Sequence, residues 1–228
     1  LLQRMIISDH KHIPFGPYVA RMTLDRGFCK RLLETGKTLT KPYNNQLAGQ
    51  IEKEFEFDLK KDTWIEKELE IYVNTWIDGY QRFSGDSTFD PLYRLASLWI
   101  NFQKAGEYNP AHVHTGCNLT FIIYLEVPQV MLDEWKNPGK TRGAPPGCTT
   151  FTYGEDQNGM VTQRLIKPRE NVILMFPAMV RHSVPHFTSK NVTRISVSGN
   201  IVFRTKPIAD SRQVMKVGDS YKEMAAKI

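Results

Sequence analysis

The sequence is short of cysteine. It holds three, Cys29, Cys117 and Cys148, and no two of them form a CxxC pair. An odd number without that spacing excludes a disulfide framework and predicts free thiols. Long apolar runs are missing as well. No stretch of eighteen apolar residues occurs, so no helix is expected to cross a membrane. The first residues, Leu-Leu-Gln-Arg-Met, lack the basic start, apolar middle and small-residue cleavage site of a secretory leader. These absences together predict a cytoplasmic protein. The formal charge is +6, but lysines and arginines are mixed with acids and form no block of like charge. A solvated basic surface is therefore expected in preference to a nucleic-acid-binding face. Internal repeats and low-complexity tracts are also absent.

What is present fits one domain. The 228 residues, 41% of them hydrophobic, are enough to bury a core without structural metal or disulfides. Residues 1–90 read as a short N-terminal strand region followed by supporting helices. Thr23 and Asp25 offer helix caps, Phe28, Leu32 and Leu33 follow at helical spacing, and Gly36 closes that segment. Ile65, Leu69, Tyr72, Val73, Trp76, Ile77 and Tyr80 recur at steps of three and four, with Asp62 or Thr63 as cap. This stripe predicts a long helix laid against a sheet. Residues 91–204 change character. Short β-rich runs are expected at about 93–103, 118–127, 149–153, 161–167, 171–176, 182–187 and 193–203. Their close spacing predicts an antiparallel sandwich or barrel, so the class is α+β, mainly β with helices first. Residues 128–148, rich in proline and glycine, read as a long functional insertion. Residues 205–228 read as a polar tail, with a final helix near 220–228.

The chemistry gathers in the β region. In Asn109-Pro-Ala-His-Val-His-Thr-Gly-Cys117, His112 and His114 stand two apart, which in a strand places both side chains on one face. Neutral imidazole is a common ligand for iron, zinc and copper; hydrogen-bonded core histidines give the same spacing. His182 follows the buried-strand pattern Val172-Ile-Leu-Met-Phe-Pro177. Two close histidines and one distant one match a three-ligand facial site that leaves other metal positions open. His186 is the rival, but it falls past the expected strand end. His10 and His12 share the i, i+2 spacing but sit in a proline-rich terminus and read as surface.

Further on, Thr193-Arg-Ile-Ser-Val-Ser-Gly-Asn-Ile-Val-Phe203 alternates. Ile195, Val197, Ile201 and Phe203 share one face; Arg194, Ser196, Ser198 and Asn200 share the other. An arginine heading a row of small polar residues is a seat for a carboxylate, or else a solvated strand face. Tyr124, on the face of Thr120 and Ile122, can aim its hydroxyl at the same carboxylate or find another buried partner.

These motifs carry a family resemblance. Trp99-Ile-Asn-Phe-Gln, Tyr108-Asn-Pro-Ala-His-Val-His-Thr-Gly and Phe121-Ile-Ile-Tyr-Leu-Glu-Val-Pro128 resemble the iron(II)- and 2-oxoglutarate-dependent oxygenases, in particular a prolyl-hydroxylase-like branch often encoded by tailed phages. Leu174-Met-Phe-Pro-Ala-Met-Val-Arg-His-Ser-Val-Pro185 resembles the distal-histidine motif of that branch. Arg194-Ile-Ser-Val-Ser-Gly-Asn200 resembles its terminal arginine strand. The resemblance covers about residues 18–204.

The resemblance implies a double-stranded β-helix, or jelly roll, over residues 91–204. It implies iron held by His112, His114 and His182, with O2 as oxidant. It implies 2-oxoglutarate bound through Arg194, with Tyr124, Ser196 and Asn200 beside it, and decarboxylated to succinate. The substrate implied is a peptidyl residue such as proline, and a phage-encoded chain would work in the host cytoplasm. One departure stands out. Most of the superfamily has a carboxylate where this chain has His114, and Glu107 and Glu126 lack the spacing to replace it. Two other readings remain open to the sequence: a three-histidine metal oxygenase that does not use 2-oxoglutarate, and a non-catalytic jelly-roll binding module.

Overall fold

A computed structural model describes residues 15–136, 144–155 and 157–204. The elements run β1 (Ala20–Thr23), α1 (Arg26–Lys37), a 3-10 turn (Asn44–Gln46), β2 (Glu54–Glu56), α2 (Trp64–Ser84), β3 (Leu92–Gln103), β4 (Asn109–His112), β5 (Leu119–Glu126), α3 (Gln129–Asp133) with a 3-10 turn (Glu134–Lys136), β6 (Thr149–Thr152), β7 (Gln163–Ile166), β8 (Val172–Pro177), β9 (Arg181–Val184) and β10 (Arg194–Arg204). Every expected strand is found, within a few residues of its expected ends. His10, His12 and the expected final helix lie outside the described residues.

The strands form two antiparallel sheets. The larger has the order β1-β8-β5-β10-β3-β2 and the smaller β4-β9-β6-β7. From β3 onward the chain moves between the two sheets in the winding of a jelly roll. The helices cover the outer face of the larger sheet. Ile65, Leu69, Val73, Trp76 and Ile77 of α2, with Phe28 and Leu32 of α1, pack on Phe121, Ile123, Ile173, Met175, Ile195 and Val197. The stripe read from the sequence is therefore the core face, each such side chain contributing roughly 1.5–3 kcal/mol by burial. A second, smaller cluster fills part of the space between the sheets: Ile122, Tyr124, Val172, Leu174 and Phe176 meet Phe151 and Val180.

Local signals explain the helix ends. Asp25 caps α1 by accepting from the Phe28 amide at 2.9 Å. Gly36, expected to close that helix, lies inside it; α1 runs on to Lys37 and is capped at Thr38. The glycine is there for contact, because a Cβ would collide with Ile100. Gly85 ends α2 in the left-handed conformation, at φ 74°.

Three features differ from the reading by pattern. Residue 96 is an extra residue in β3, since Asn200 pairs with Ser97 and Ile201 with Leu95. This bulge lets Leu95 and Leu98 both face the helices. The 128–148 segment begins with helical structure, α3 and its 3-10 turn, and residues 137–143 lie outside the described residues. Strands β2 and β4 were not among the expected ones; both are short.

Candidate active site

The space between the sheets that the small cluster leaves open is a cavity of about 230 Å³. Its lining includes His112, His114 and His182, then Arg194, Ser196, Ser198 and Asn200 of β10, and Trp99 and Asn101 of β3.

Two of the histidines face each other across strands: His112 of β4 is the register partner of His182 of β9. His114 lies past the end of β4, not on the strand as the i, i+2 argument required. It is fixed instead by its backbone amide, which donates to the Ala178 carbonyl at 2.9 Å. The result is still convergence. One ring nitrogen from each histidine lies within 4.8 Å of the other two, and the Nε2 atoms of His114 and His182 are 3.3 Å apart. His186 is exposed beyond β9.

Carbonyl groups set the ring orientations. Nδ1 of His112 is 2.7 Å from the Pro110 carbonyl, and Nδ1 of His182 is 3.0 Å from that of Val180. A carbonyl can only accept, so each Nδ1 carries the proton and each Nε2 offers its lone pair inward, as outer partners of metal-bound histidines do. Asn200 acts on His114: its amide donates to Ser97 at 3.0 Å, its Oδ1 is buried with no hydrogen-bond partner among the described residues, and it draws the imidazole's pKa upward. That effect is outweighed. Burial, then the charge of His112, holds His114 down at about 4 and His182 at about 3. Both rings are neutral near pH 7, the form that binds metal.

Arg194 is 1% exposed. Its Nη1 donates to Gln103 Oε1 and to Ser196 Oγ, each at 3.2 Å. Its guanidinium carbon lies 5.3 Å from the centre of the Tyr124 ring. Its Nε and Nη2 are buried with no hydrogen-bond partner. Those two nitrogens form one edge of the guanidinium fork, the edge that grips a carboxylate through two parallel bonds. Leaving such donors empty in a dry site is costly, so the site is built for an anion. The Tyr124 hydroxyl lies 2.6 Å from Thr149 Oγ1, and Tyr124 also acts on Arg194, helping to keep its guanidinium charged against burial.

Glu107 and Glu126 do not take part. Glu107 accepts from the backbone amides of Glu52 and Lys104, and Glu126 pairs with Lys37 at 2.6 Å. The carboxylate that does line the cavity is Glu54 of β2, 1% exposed. Sequence reasoning missed it, together with Tyr43, Trp99, Asn101 and Gln103. The alternation Glu54-Phe-Glu-Phe57 was the available signal, but a strand with glutamates on one face reads as solvated.

Glu54 has a measurable consequence. Burial, then the like charge of Glu107, pushes its carboxyl group from 4.5 up to about 7. The folded chain holds a proton there that the unfolded chain releases near 4.5. The stability this group contributes is full below 4.5 and is lost as the pH rises through about 7. Urea unfolding of the metal-free protein across that window is expected to show wild type losing on the order of 3 kcal/mol relative to Glu54→Gln. A pH-independent difference between the two proteins would contradict this.

Comparison with known proteins agrees with the geometry. Residues 97–200 match the family model described as "Putative 2OG-Fe(II) oxygenase". No curated protein matches the sequence. Among solved structures the chain is similar to the non-heme alpha ketoglutarate dependent epimerase SnoN from nogalamycin biosynthesis, at 16% identity over 84% of this chain and 82% of that one, with a TM-score of 0.51. It is also similar to a Pseudomonas putida prolyl-4-hydroxylase, at 12% identity over 82% and 92% of the two chains, TM-score 0.48. A viral collagen prolyl hydroxylase from Paramecium Bursaria Chlorella virus-1 shares 14% identity over 82% and 96%, TM-score 0.46. The matched segment carries all three histidines and Arg194, so the cavity's chemistry lies within the part of the chain that is similar to the 2OG-Fe(II) oxygenases, enzymes that work with iron(II), 2-oxoglutarate and dioxygen.

Proposed function

We propose that the enzyme couples the decarboxylation of 2-oxoglutarate to succinate with hydroxylation of a substrate, a peptidyl residue such as proline being the first to test. The observation that carries the reading is the empty edge of Arg194: two buried donors without partners, in the same cavity as three converging imidazoles. The donor set fits both groups. His112, His114 and His182 would hold iron(II), and the lone pairs of His112 and His182 already face inward. Arg194 would take the far carboxylate of 2-oxoglutarate. When bound, the metal, 2-oxoglutarate and dioxygen supply the oxidising chemistry.

The rest of the work belongs to the protein. Gln103 holds the Arg194 fork from one side, so that its open edge faces the cavity. Ser196 shares the Nη1 donor and can turn its own hydroxyl toward the same carboxylate. Tyr124 supports the guanidinium with its ring face, a cation–π contact in a dry setting. Asn200 steadies the His114 ring. The peptidyl substrate rests on the resemblance of the helical region to prolyl hydroxylases, and the 128–148 segment is proposed to approach substrate as a lid.

The test is anaerobic addition of iron(II) and 2-oxoglutarate to metal-free protein, watching for the weak visible charge-transfer band of the chelate. A band is the expected result. Iron bound with no band would favour the three-histidine oxygenase that does not use 2-oxoglutarate. No iron bound would overturn the reading.

A further inference from the structure

The cavity lining is not uniform. Besides Arg194 and the histidines it includes Tyr43, Gln46, Leu47, Ala48, Glu54 and Asn109, and none of these six carries a positive charge. The carboxylate of Glu54 is nearly unserved. Among the described residues its one hydrogen bond is a long contact of 3.4 Å from Asn44 Nδ2, a group that bonds more closely to the Ile51 carbonyl at 2.6 Å. No salt bridge from the described residues reaches it. The backbone closes tightly on it: a Cβ on Gly49 would sit 3.1 Å from Glu54 Oε1 and 2.5 Å from Asn109 Oδ1.

Two aromatic rings share the lining with Glu54. Tyr43 and Trp99 both line the cavity, with ring centres 5.7 Å apart, and Trp99 also stacks on His114 at 5.9 Å. A buried carboxylate without a counter-ion, beside two aromatic rings, has the chemistry that recognises an organic cation. The carboxylate supplies charge and hydrogen-bond acceptors, and the ring faces supply negative quadrupole. Trp99 spans from this group to the metal-binding imidazoles, so a cation held here leaves its neighbouring carbon atoms near the histidines.

We infer that Glu54, Tyr43 and Trp99 form a recognition site for a primary ammonium group, and that the oxidised substrate carries one, as a peptide with a lysine side chain does. That the cation belongs to an oxidised molecule rests on the proposed function; that the site binds a cation does not. Glu54 acts here as a specificity-determining residue.

The probe is n-butylammonium chloride, added at about pH 8, where Glu54 is ionised, to the metal-free protein labelled with carbon-13 at the glutamate carboxyl carbons. The Glu54 resonance is assigned by its loss in Glu54→Gln. A saturable shift of that resonance with butylammonium, and none with 1-butanol at the same concentration, is expected. No shift, or equal shifts with both, overturns the site. If Glu54→Gln folds poorly, Glu54→Asp supplies the assignment by displacing the resonance, and the wild-type comparison of the two probes decides alone. With iron(II) and 2-oxoglutarate present, a lysine peptide is expected to exceed its norleucine twin at least about tenfold in kcat/KM, which corresponds to about 1.4 kcal/mol. Glu54→Gln should bring that ratio close to one. Should the chelate band fail to form while butylammonium still shifts Glu54, the cation site stands and the oxygenase reading falls. A band without the shift has the opposite meaning.

Discussion

His182→Ala is expected to lose iron(II) affinity by more than the roughly 10- to 100-fold that removal of an outer partner costs at a metal site. The reason lies in the lone pairs. His182 is protonated on Nδ1 by its bond to the Val180 carbonyl, so its Nε2 faces that of His114 at 3.3 Å as an acceptor. A cation held there would draw on the His182 Nε2 lone pair directly, and alanine removes that lone pair. Iron(II) should therefore raise the melting temperature of wild type, since a ligand that binds only the folded state stabilises it by mass action. The same addition should leave His182→Ala where it was. Because the ring packs edge-on against Phe176 at 4.8 Å, alanine also leaves a gap, and His182→Gln serves as the larger-volume control. Equal iron-induced stabilisation in wild type and both variants would remove His182 from the ligand set.

Arg194→Ala is expected to weaken 2-oxoglutarate binding by about 2–5 kcal/mol, the cost of truncating one partner of a buried, hydrogen-bonded charge pair. That is roughly a 30- to 5,000-fold rise in Kd. The same change should be mild for the chain without 2-oxoglutarate. Arg194 is fully buried, yet among the described residues two of its donors are unpaired and no carboxylate forms a salt bridge with it. Removing a charge already uncompensated relieves desolvation while it opens a gap, and the two effects oppose. Arg194→Lys should be intermediate for binding, because an ammonium cannot offer the two-pronged edge. Anaerobic titration of 2-oxoglutarate into iron-loaded protein, beside thermal melts without it, measures both. Unchanged affinity in Arg194→Ala would place the carboxylate elsewhere.

Much of this was readable from the residues, for physical reasons. Strand periodicity sorts β10 correctly, since Ile195, Val197 and Ile201 are core while Arg194, Ser196 and Asn200 line the cavity. The α2 stripe was equally plain, because one helical face must pack on the sheet. What escaped depends on partners distant in sequence. His114 converges through a loop hydrogen bond to Ala178, although the argument for it assumed a strand. The Tyr124 hydroxyl chose Thr149, on the opposite sheet, which nothing near Tyr124 foretells. The bulge at residue 96 shifts the parity of β3 without a glycine to mark it. Glu54 looked solvated because only closure of the sheets over β2 covers it.

Arg194 and Glu54 rest on very different parts of the larger sheet. Arg194 and Asn200 belong to β10, which is hydrogen-bonded on both sides by β3 and β5 along most of its length. At its middle, Gly199 lets the backbones close up, since a Cβ there would meet Phe121 Cζ at 2.5 Å. Glu54 belongs to β2, a three-residue strand at the sheet margin, paired with β3 on one side and held on the other by residues 41–43, whose Tyr43 amide donates to the Glu54 carbonyl at 2.9 Å. Opening free energies in a folded protein fall from the centre of a sheet to its margins. The arginine thus sits on the more firmly held structure, and the acid on a short margin strand that opens at lower cost. A change of residues in β2 and the adjoining turn would retune which molecule is admitted and leave the oxidising apparatus intact, so the fold keeps its reactivity and its selectivity on separately adjustable supports.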